Sequence, residues 1–177
     1  MKDPDPKHSD DIRQYNMDLE YAKLFAADKH QAQTYGQGLP YTVHLRDVEQ
    51  TLRRFGCTDA EMLCAAWLHD VVEDTPVTVQ EIQTLFGDRV SGLVYAVTNE
   101  SGVNRAERHA KTYGKIKAHP DYLFLKLADR ISNVESCIRE RDSRLKMYKK
   151  EWESFKKELY TPGVHEAMWT HLTGLLE

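Results

Sequence analysis

A chain of 177 residues with 41% apolar and 29% charged side chains is long enough to bury one sizeable core and has the balance of an ordinary globular protein. Its 24 Lys and Arg against 28 Asp and Glu leave a formal charge of -4, which argues against an electrostatic grip on duplex nucleic acid. No apolar stretch approaches the about 18 residues of a membrane span, Met1 to Asp11 is polar rather than leader-like, and Cys57, Cys64 and Cys137 form no CxxC pair. The expectation is a cytoplasmic protein with no membrane contact and three buried, spectator thiols.

In chain order, Tyr15, Leu19, Ala22, Leu24, Phe25 and Ala26 recur at helical spacing and predict an opening helix from about Ile12 to His30. The stretch Tyr35-Gly36-Gln37-Gly38-Leu39-Pro40 breaks it. A second helix is expected from near His44, with Val48, Leu52 and Phe55 on one side and Gly56 as its stop. Thr58 or Asp59 caps a third, which should run through the apolar segment Met62 to Leu68 as far as about Val72, with Pro76 enforcing its end. Thr78-Val79-Gln80-Glu81 resembles a capping box for a short helix to Phe86-Gly87, and Val90, Leu93, Val94 and Val97 give another at i, i+3, i+4, i+7. After a loop over Thr98 to Asn104, a basic helix from Arg105 to Lys117 is followed by one opened by Pro120. Two amphipathic helices finish the chain, and their Trp152, Phe155, Leu159, Met168, Trp169, Leu172 and Leu175 either cover the core or form a subunit contact, so a homo-oligomer stays open. No alternating run suggests strands, and the predicted class is all-α, a single helical bundle over 1–177 with a core at about 20–137 and a C-terminal helical extension at about 142–177.

Two apolar runs end abruptly in charge. Met62 to Leu68 stops at His69-Asp70, and Tyr122 to Ala128, broken only by Lys126, stops at Asp129. A carboxylate at the edge of a packed interior costs several kcal/mol to desolvate unless it is compensated, and a bound cation is an economical compensation. His69, Asp70, Asp129 and one more histidine would make a mixed imidazole and carboxylate shell suited to Mn²⁺, Fe²⁺, Zn²⁺ or Co²⁺. On a continuous helix, His69/Glu73 and Asp70/Asp74 would stack one turn apart, so Glu73 and Asp74 stand where they can take a proton from an attacking water. The bland reading makes His69 a core histidine and the two acids part of a turn. His165 and His171 are six apart and do not fit a zincin, no P-loop, GxGxxG or GxSxG pattern occurs, and His8, His30, His109 and His119 have no ligand-like context.

The segments Leu39-Pro40-Tyr41-Thr42-Val43-His44, Ala65 to Thr75 around His69-Asp70-Val71-Val72-Glu73-Asp74, and Lys126-Leu127-Ala128-Asp129-Arg130-Ile131-Ser132-Asn133 resemble the hydrolase domain of RelA/SpoT proteins and the stand-alone small alarmone hydrolases, members of the His-Asp (HD) superfamily. The resemblance implies a helical HD domain with its metal site between central helices. It implies His44, His69, Asp70 and Asp129 as ligands of Mn²⁺, Glu73 and Asp74 as catalytic, and removal of pyrophosphate from the 3′ position of guanosine tetra- or pentaphosphate. On the substrate side it implies Asn133 as a nucleotide contact and Lys111 as a phosphate-facing position, with Arg105 and Arg108 earlier on the same helix. Tyr35 stands where the family has a guanine-stacking arginine, and Glu135 where an arginine normally follows the asparagine. A tyrosine can still stack on a base. The lost positive charge keeps two alternatives open: another nucleotide on the same scaffold, such as a (d)NTP or NADPH, and a catalytically silent nucleotide-sensing or partner-binding module.

Overall fold

A computed structural model of the chain describes residues 6–177, with side chains from Asp18 onward, so the reading of Met1 to Asp11 as polar rather than leader-like and the expectation for the Tyr15 side chain lie outside it. The elements are α1 (Pro6–Lys29), a minimal hairpin of β1 (Thr34–Tyr35) and β2 (Leu39–Pro40), α2 (Thr42–Arg54), α3 (Ala60–Leu68), α4 (Val71–Asp74), α5 (Val79–Val97), α6 (Arg105–Ile116), α7 (Pro120–Glu140), α8 (Leu145–Leu159) and α9 (Glu166–Leu176). The class is all-α apart from the two-residue antiparallel ladder, which pairs Thr34 with Pro40 and Tyr35 with Leu39. The hairpin turns through Gly36 and Gly38 at positive φ, and a Cβ at Gly36 would run into the Glu140 carboxylate.

Local chemistry sets the helix starts. The Asp59 side chain accepts from the N–H groups of Glu61 and Met62, Thr78 from Glu81, and Asn104 from Glu107, each satisfying donors that a helix leaves open in its first turn. Pro120 opens α7.

Three expectations need correction. Leu24 was placed on the apolar face of α1, but it is 70% exposed, because the buried stripe is Leu19, Ala22 and Ala26. The third helix does not run on to Val72: α3 stops at Leu68, and Asp70, with its backbone near φ −99° and ψ −7°, turns the chain into the short α4. The two helices expected on either side of Phe86-Gly87 are continuous except for a kink at Gly87, whose φ of 85° lies in the region that favours glycine.

Every residue from Met62 to Leu68 is buried, because α3 is enclosed by α1, α2, α5 and α7. The other central element, α7, touches α2, α3, α5, α6, α8 and α9. One contiguous apolar cluster runs from Leu19 to Leu176 and takes in Trp152, Phe155, Leu159, Met168, Trp169 and Leu172, with Leu175 packed at its edge. The last two helices therefore cover the core of their own chain. Each fully buried Leu in such a cluster is worth about 1.5–3 kcal/mol, which makes α3 and α7 a stiff platform for the polar residues at their ends. The three cysteines are free and buried, and no helix among the described residues is long and apolar enough to cross a membrane.

Candidate metal centre and its cleft

The ends of α3 and α7 and the first turn of α2 meet at one point. His44 and His69 are almost wholly buried, and their Nε2 atoms lie 3.3 Å apart. Asp70 Oδ2 stands 3.0 Å from His69 Nε2 and 3.5 Å from His44 Nε2; Asp129 Oδ1 stands 3.8 and 3.4 Å from the same two nitrogens. His44, His69 and Asp70 alone already form a compact three-donor group.

The protons reveal what this arrangement lacks. His69 Nδ1 is 2.8 Å from the Ala66 carbonyl, which can only accept, so that nitrogen carries the hydrogen. In the neutral ring, Nε2 then presents a lone pair to a carboxylate oxygen and to a second imidazole. Lone pairs converge on lone pairs, and only a proton or a cation relieves them. Donor atoms about 2.0–2.2 Å from one ion stand roughly 3.0–3.6 Å from one another, and the 3.0–3.5 Å separations among His44, His69 and Asp70 match that spacing, with Asp129 3.4 and 3.8 Å from the two imidazoles. The donor set fits a divalent transition ion.

Burial would lower the His69 pKa, but the Asp70 and Asp129 carboxylates outweigh it and hold the imidazole well above its ordinary value; His44 is raised for the same reason. Burial would raise Asp70 and Asp129, yet the imidazoles, together with Lys126 in the case of Asp129, keep both well below the usual carboxylate range. Surrounding groups hold the ligands in place. Tyr41 donates to Asp70 Oδ2 at 2.6 Å, and Asp129 receives Asn133 Nδ2 at 2.6 Å and Lys126 Nζ at 2.8 Å. His44 Nδ1 has no partner among the described residues; the Tyr35 ring stacked at 4.9 Å orients that imidazole instead.

Glu73 and Asp74 line the cleft beside this centre. Glu73 receives both the backbone N–H and the Nδ2 of Asn99, each at 3.0 Å. Asp74 receives Gln33 Nε2 at 2.8 Å, and His30 Nδ1 donates in turn to Gln33 Oε1 at 2.7 Å. Burial, followed by the charges of Asp70 and Glu73, raises the Asp74 pKa despite the Gln33 contact. Sequence reasoning gave His30 no part in a site, yet it fixes the amide that holds Asp74.

The other wall is basic. Arg105, His109, Lys126, Arg130 and Tyr148 line it, and Glu151 on α8 receives Arg105 Nε at 2.6 Å and Arg130 Nη1 at 3.0 Å. Arg130 is 5% exposed and packs its guanidinium over the rings of Tyr148 and Phe155. Sequence reading offered Arg105 as a substrate contact and overlooked the other four. Lys126 and Arg130 sat in view within the Lys126-to-Asn133 segment, since a lysine three residues before Asp129 shares its helix face.

The remaining substrate-side expectations are placed otherwise. Lys111 bonds the Ser101 carbonyl and Glu107, and neither it nor Arg108 lines the cleft. Tyr35 is 5% exposed, stacks on His44 and donates to Asn133 Oδ1 at 3.1 Å, so its ring faces the interior and offers no surface to a base. Asn133 lines the cleft while also bonding Asp129. Glu135 lies apart from the cleft, paired with Arg54 and His171.

Helices that bring paired histidines and aspartates to one interior point define the HD class, and the HD domain family pattern matches residues 22–162; the chain belongs to that family. A guanosine-3′,5′-bis(diphosphate) 3′-pyrophosphohydrolase of Aquifex aeolicus is 34% identical over 170 residues, which is 93% of this chain and 23% of that protein. The MESH1 enzyme of Danio rerio, carrying the same activity name, is 37% identical over 120 residues, 65% of this chain and 66% of that one. Among solved structures, a metazoan orthologue of SpoT, described as hydrolysing ppGpp, superposes with a TM-score of 0.71 at 27% identity, covering 89% of this chain and 94% of its own.

Proposed function

We propose that the chain is a metal-dependent nucleotide phosphohydrolase acting as a single domain, with guanosine 3′,5′-bis(diphosphate) as its first substrate and diphosphate released from the 3′ position. The observation that carries this reading is the meeting of His44, His69, Asp70 and Asp129, drawn from three separate segments, beside two further carboxylates and facing a cationic wall. The similarity to proteins named for that hydrolysis supports the choice of substrate.

In this reading His44, His69, Asp70 and Asp129 hold one divalent ion, Mn²⁺ on the family resemblance. Such an ion, when bound, supplies positive charge to polarise the phosphoryl group and favour ionisation of water. Asp74, with its raised pKa, takes the proton of the attacking water, and Glu73, held by Asn99, orients that water. The water oxygen bonds to the phosphorus next to the 3′ oxygen, the bond between them breaks, diphosphate leaves, and the proton finishes on the 3′ oxygen. Arg105, Lys126 and Arg130 take the diphosphate charge. A cleft of ≈ 170 Å³ suits that group and is smaller than the about 300–1,000 Å³ that encloses a whole drug-sized ligand, so the nucleoside sits at its mouth.

A second reading, hydrolysis of another nucleotide such as a (d)NTP or NADPH, is favoured by Tyr35, which is buried where the family's stacking arginine stands. One assay separates them: the purified chain with Mn²⁺ against both substrate sets. Diphosphate released from guanosine tetraphosphate supports the first reading, phosphate or triphosphate from the others the second, and no turnover of any nucleotide the silent module.

A further inference from the structure

His109 is a position that neither the metal centre nor the water-activating pair uses. It lies on α6 and lines the cleft with Arg105, Lys126 and Arg130. Its Nδ1 is 3.2 Å from the Tyr113 hydroxyl, and Tyr113 is 5% exposed. A phenol is a better hydrogen-bond donor than a neutral imidazole N–H, and a bare imidazole nitrogen is a better acceptor than a phenol oxygen. The Tyr113 hydrogen therefore points to His109 Nδ1. An uncharged imidazole that accepts at Nδ1 carries its proton on Nε2. That nitrogen has no hydrogen-bond partner among the described residues.

The charge state agrees with this tautomer. Burial, then the positive charges of Arg105 on α6 and of Lys126 and Arg130 on α7, opposed by Glu151 on α8, push His109 down to about 4. The ring is neutral at physiological pH.

Building on the reading of the cleft as a phosphate-binding site, we propose that His109 contacts the substrate, its Nε2–H donating to a non-bridging oxygen of the phosphate or diphosphate group beside Arg105 and Lys126. A neutral donor adds direction without bringing a fourth positive charge to a wall that already holds three. The ordinary alternative is an i, i+4 packing pair of His109 and Tyr113 with no ligand role.

Two measurements on the full chain test this. Long-range ¹H–¹⁵N spectra, assigned with a His109→Gln variant, should show a neutral Nε2–H ring from pH 8 down to about 5.5, with the Nε2 signal moving when inorganic pyrophosphate is added. Calorimetric titration of pyrophosphate in the presence of Mg²⁺ compares side chains that imitate one ring nitrogen each. His109→Gln, whose amide reaches the Nε2 position, should keep the affinity within about threefold, while His109→Asn and His109→Ala lose on the order of 10-fold or more, as for a hydrogen bond to a charged group. An Nδ1–H tautomer, an imidazolium at pH 7, an Nε2 signal indifferent to saturating pyrophosphate, or equal affinities for the Gln and Asn variants would overturn the assignment. If the wild type hydrolyses no nucleotide while the pyrophosphate pattern holds, the hydrolase reading fails and the His109 contact stands.

Discussion

The two walls of the cleft handle charge in opposite ways. On the acidic wall, the Nε2 atoms of two buried histidines and the oxygens of Asp70 and Asp129 point at one another, and the donors that reach the carboxylates come from outside: Tyr41, Asn133 and Lys126. On the basic wall each cation already has a carboxylate: Arg105 and Arg130 share Glu151, and Lys126 has Asp129. The first wall is incomplete without a positive ion, while the second is compensated before any ligand arrives. A phosphate group entering the cleft thus meets guanidinium groups whose geometry is set in advance, and the binding energy need not be spent on ordering them.

The largest expected effect comes from breaking the acidic wall. His69→Ala removes a donor from the middle of the cluster, so bound metal should vanish from the dialysed protein and metal-dependent hydrolysis should fall to background; a variant that retains its metal would show that the cluster is not the site. Next is Glu73→Gln, which keeps the shape but can accept only one of the two Asn99 N–H groups, since its amide nitrogen is a donor. Metal content should be unchanged and kcat lowered on the order of 10²-fold, as for loss of a positioned proton acceptor or water-orienting group. An unchanged rate takes Glu73 out of the mechanism.

Glu151→Ala tests the other wall. It leaves Arg130, 5% exposed, without its carboxylate, whereas Arg105 can turn to solvent. A loss of about 2–3 kcal/mol, or roughly 5–10 °C in Tm, is expected, less than the full cost of breaking a buried pair. KM should rise with it, and a Tm within 1 °C or so of wild type would mean the wall does not depend on α8.

The smallest effect sharpens the contrast through protons. In the ion-free chain, protonated His44 and His69 pair with Asp70 and Asp129, and their raised pKa values make that stabilisation fully present below the unfolded histidine value near about 6.5 and lost as pH rises through the folded ones. A divalent ion replaces those protons. Its uptake at pH 7 should release roughly one to two protons, and its affinity should fall as pH falls. Calorimetry in two buffers of different ionisation enthalpy reads this directly, and identical heats would contradict it.

How much was legible follows the same division. The acidic wall was readable because its residues are neighbours in sequence or end apolar runs: His69-Asp70 closes Met62 to Leu68, and Asp129 closes Tyr122 to Ala128. The helix order and most of the caps were readable for the same local reasons. The break at Asp70 was not, since nothing in Leu68-His69-Asp70-Val71 disfavours a continuing helix; tertiary packing turns the chain there. The basic wall was mostly hidden, because Arg105, His109, Lys126, Arg130, Tyr148 and Glu151 come from three helices and share no spacing. Arg105, Arg108 and Lys111 looked alike as charges on one helix, and only the packing of α8 against α6 separates the residue that lines the cleft from the two that do not.

The central claim is that four side chains from three segments enclose a single ion. Anomalous diffraction from a crystal of the chain soaked in Mn²⁺ tests it most directly. One peak is expected about 2.0–2.3 Å from Nε2 of His44, Nε2 of His69 and a carboxylate oxygen each of Asp70 and Asp129. A peak held by Glu73 and Asp74 with the histidines uninvolved, or no peak at full occupancy of the soak, would contradict it.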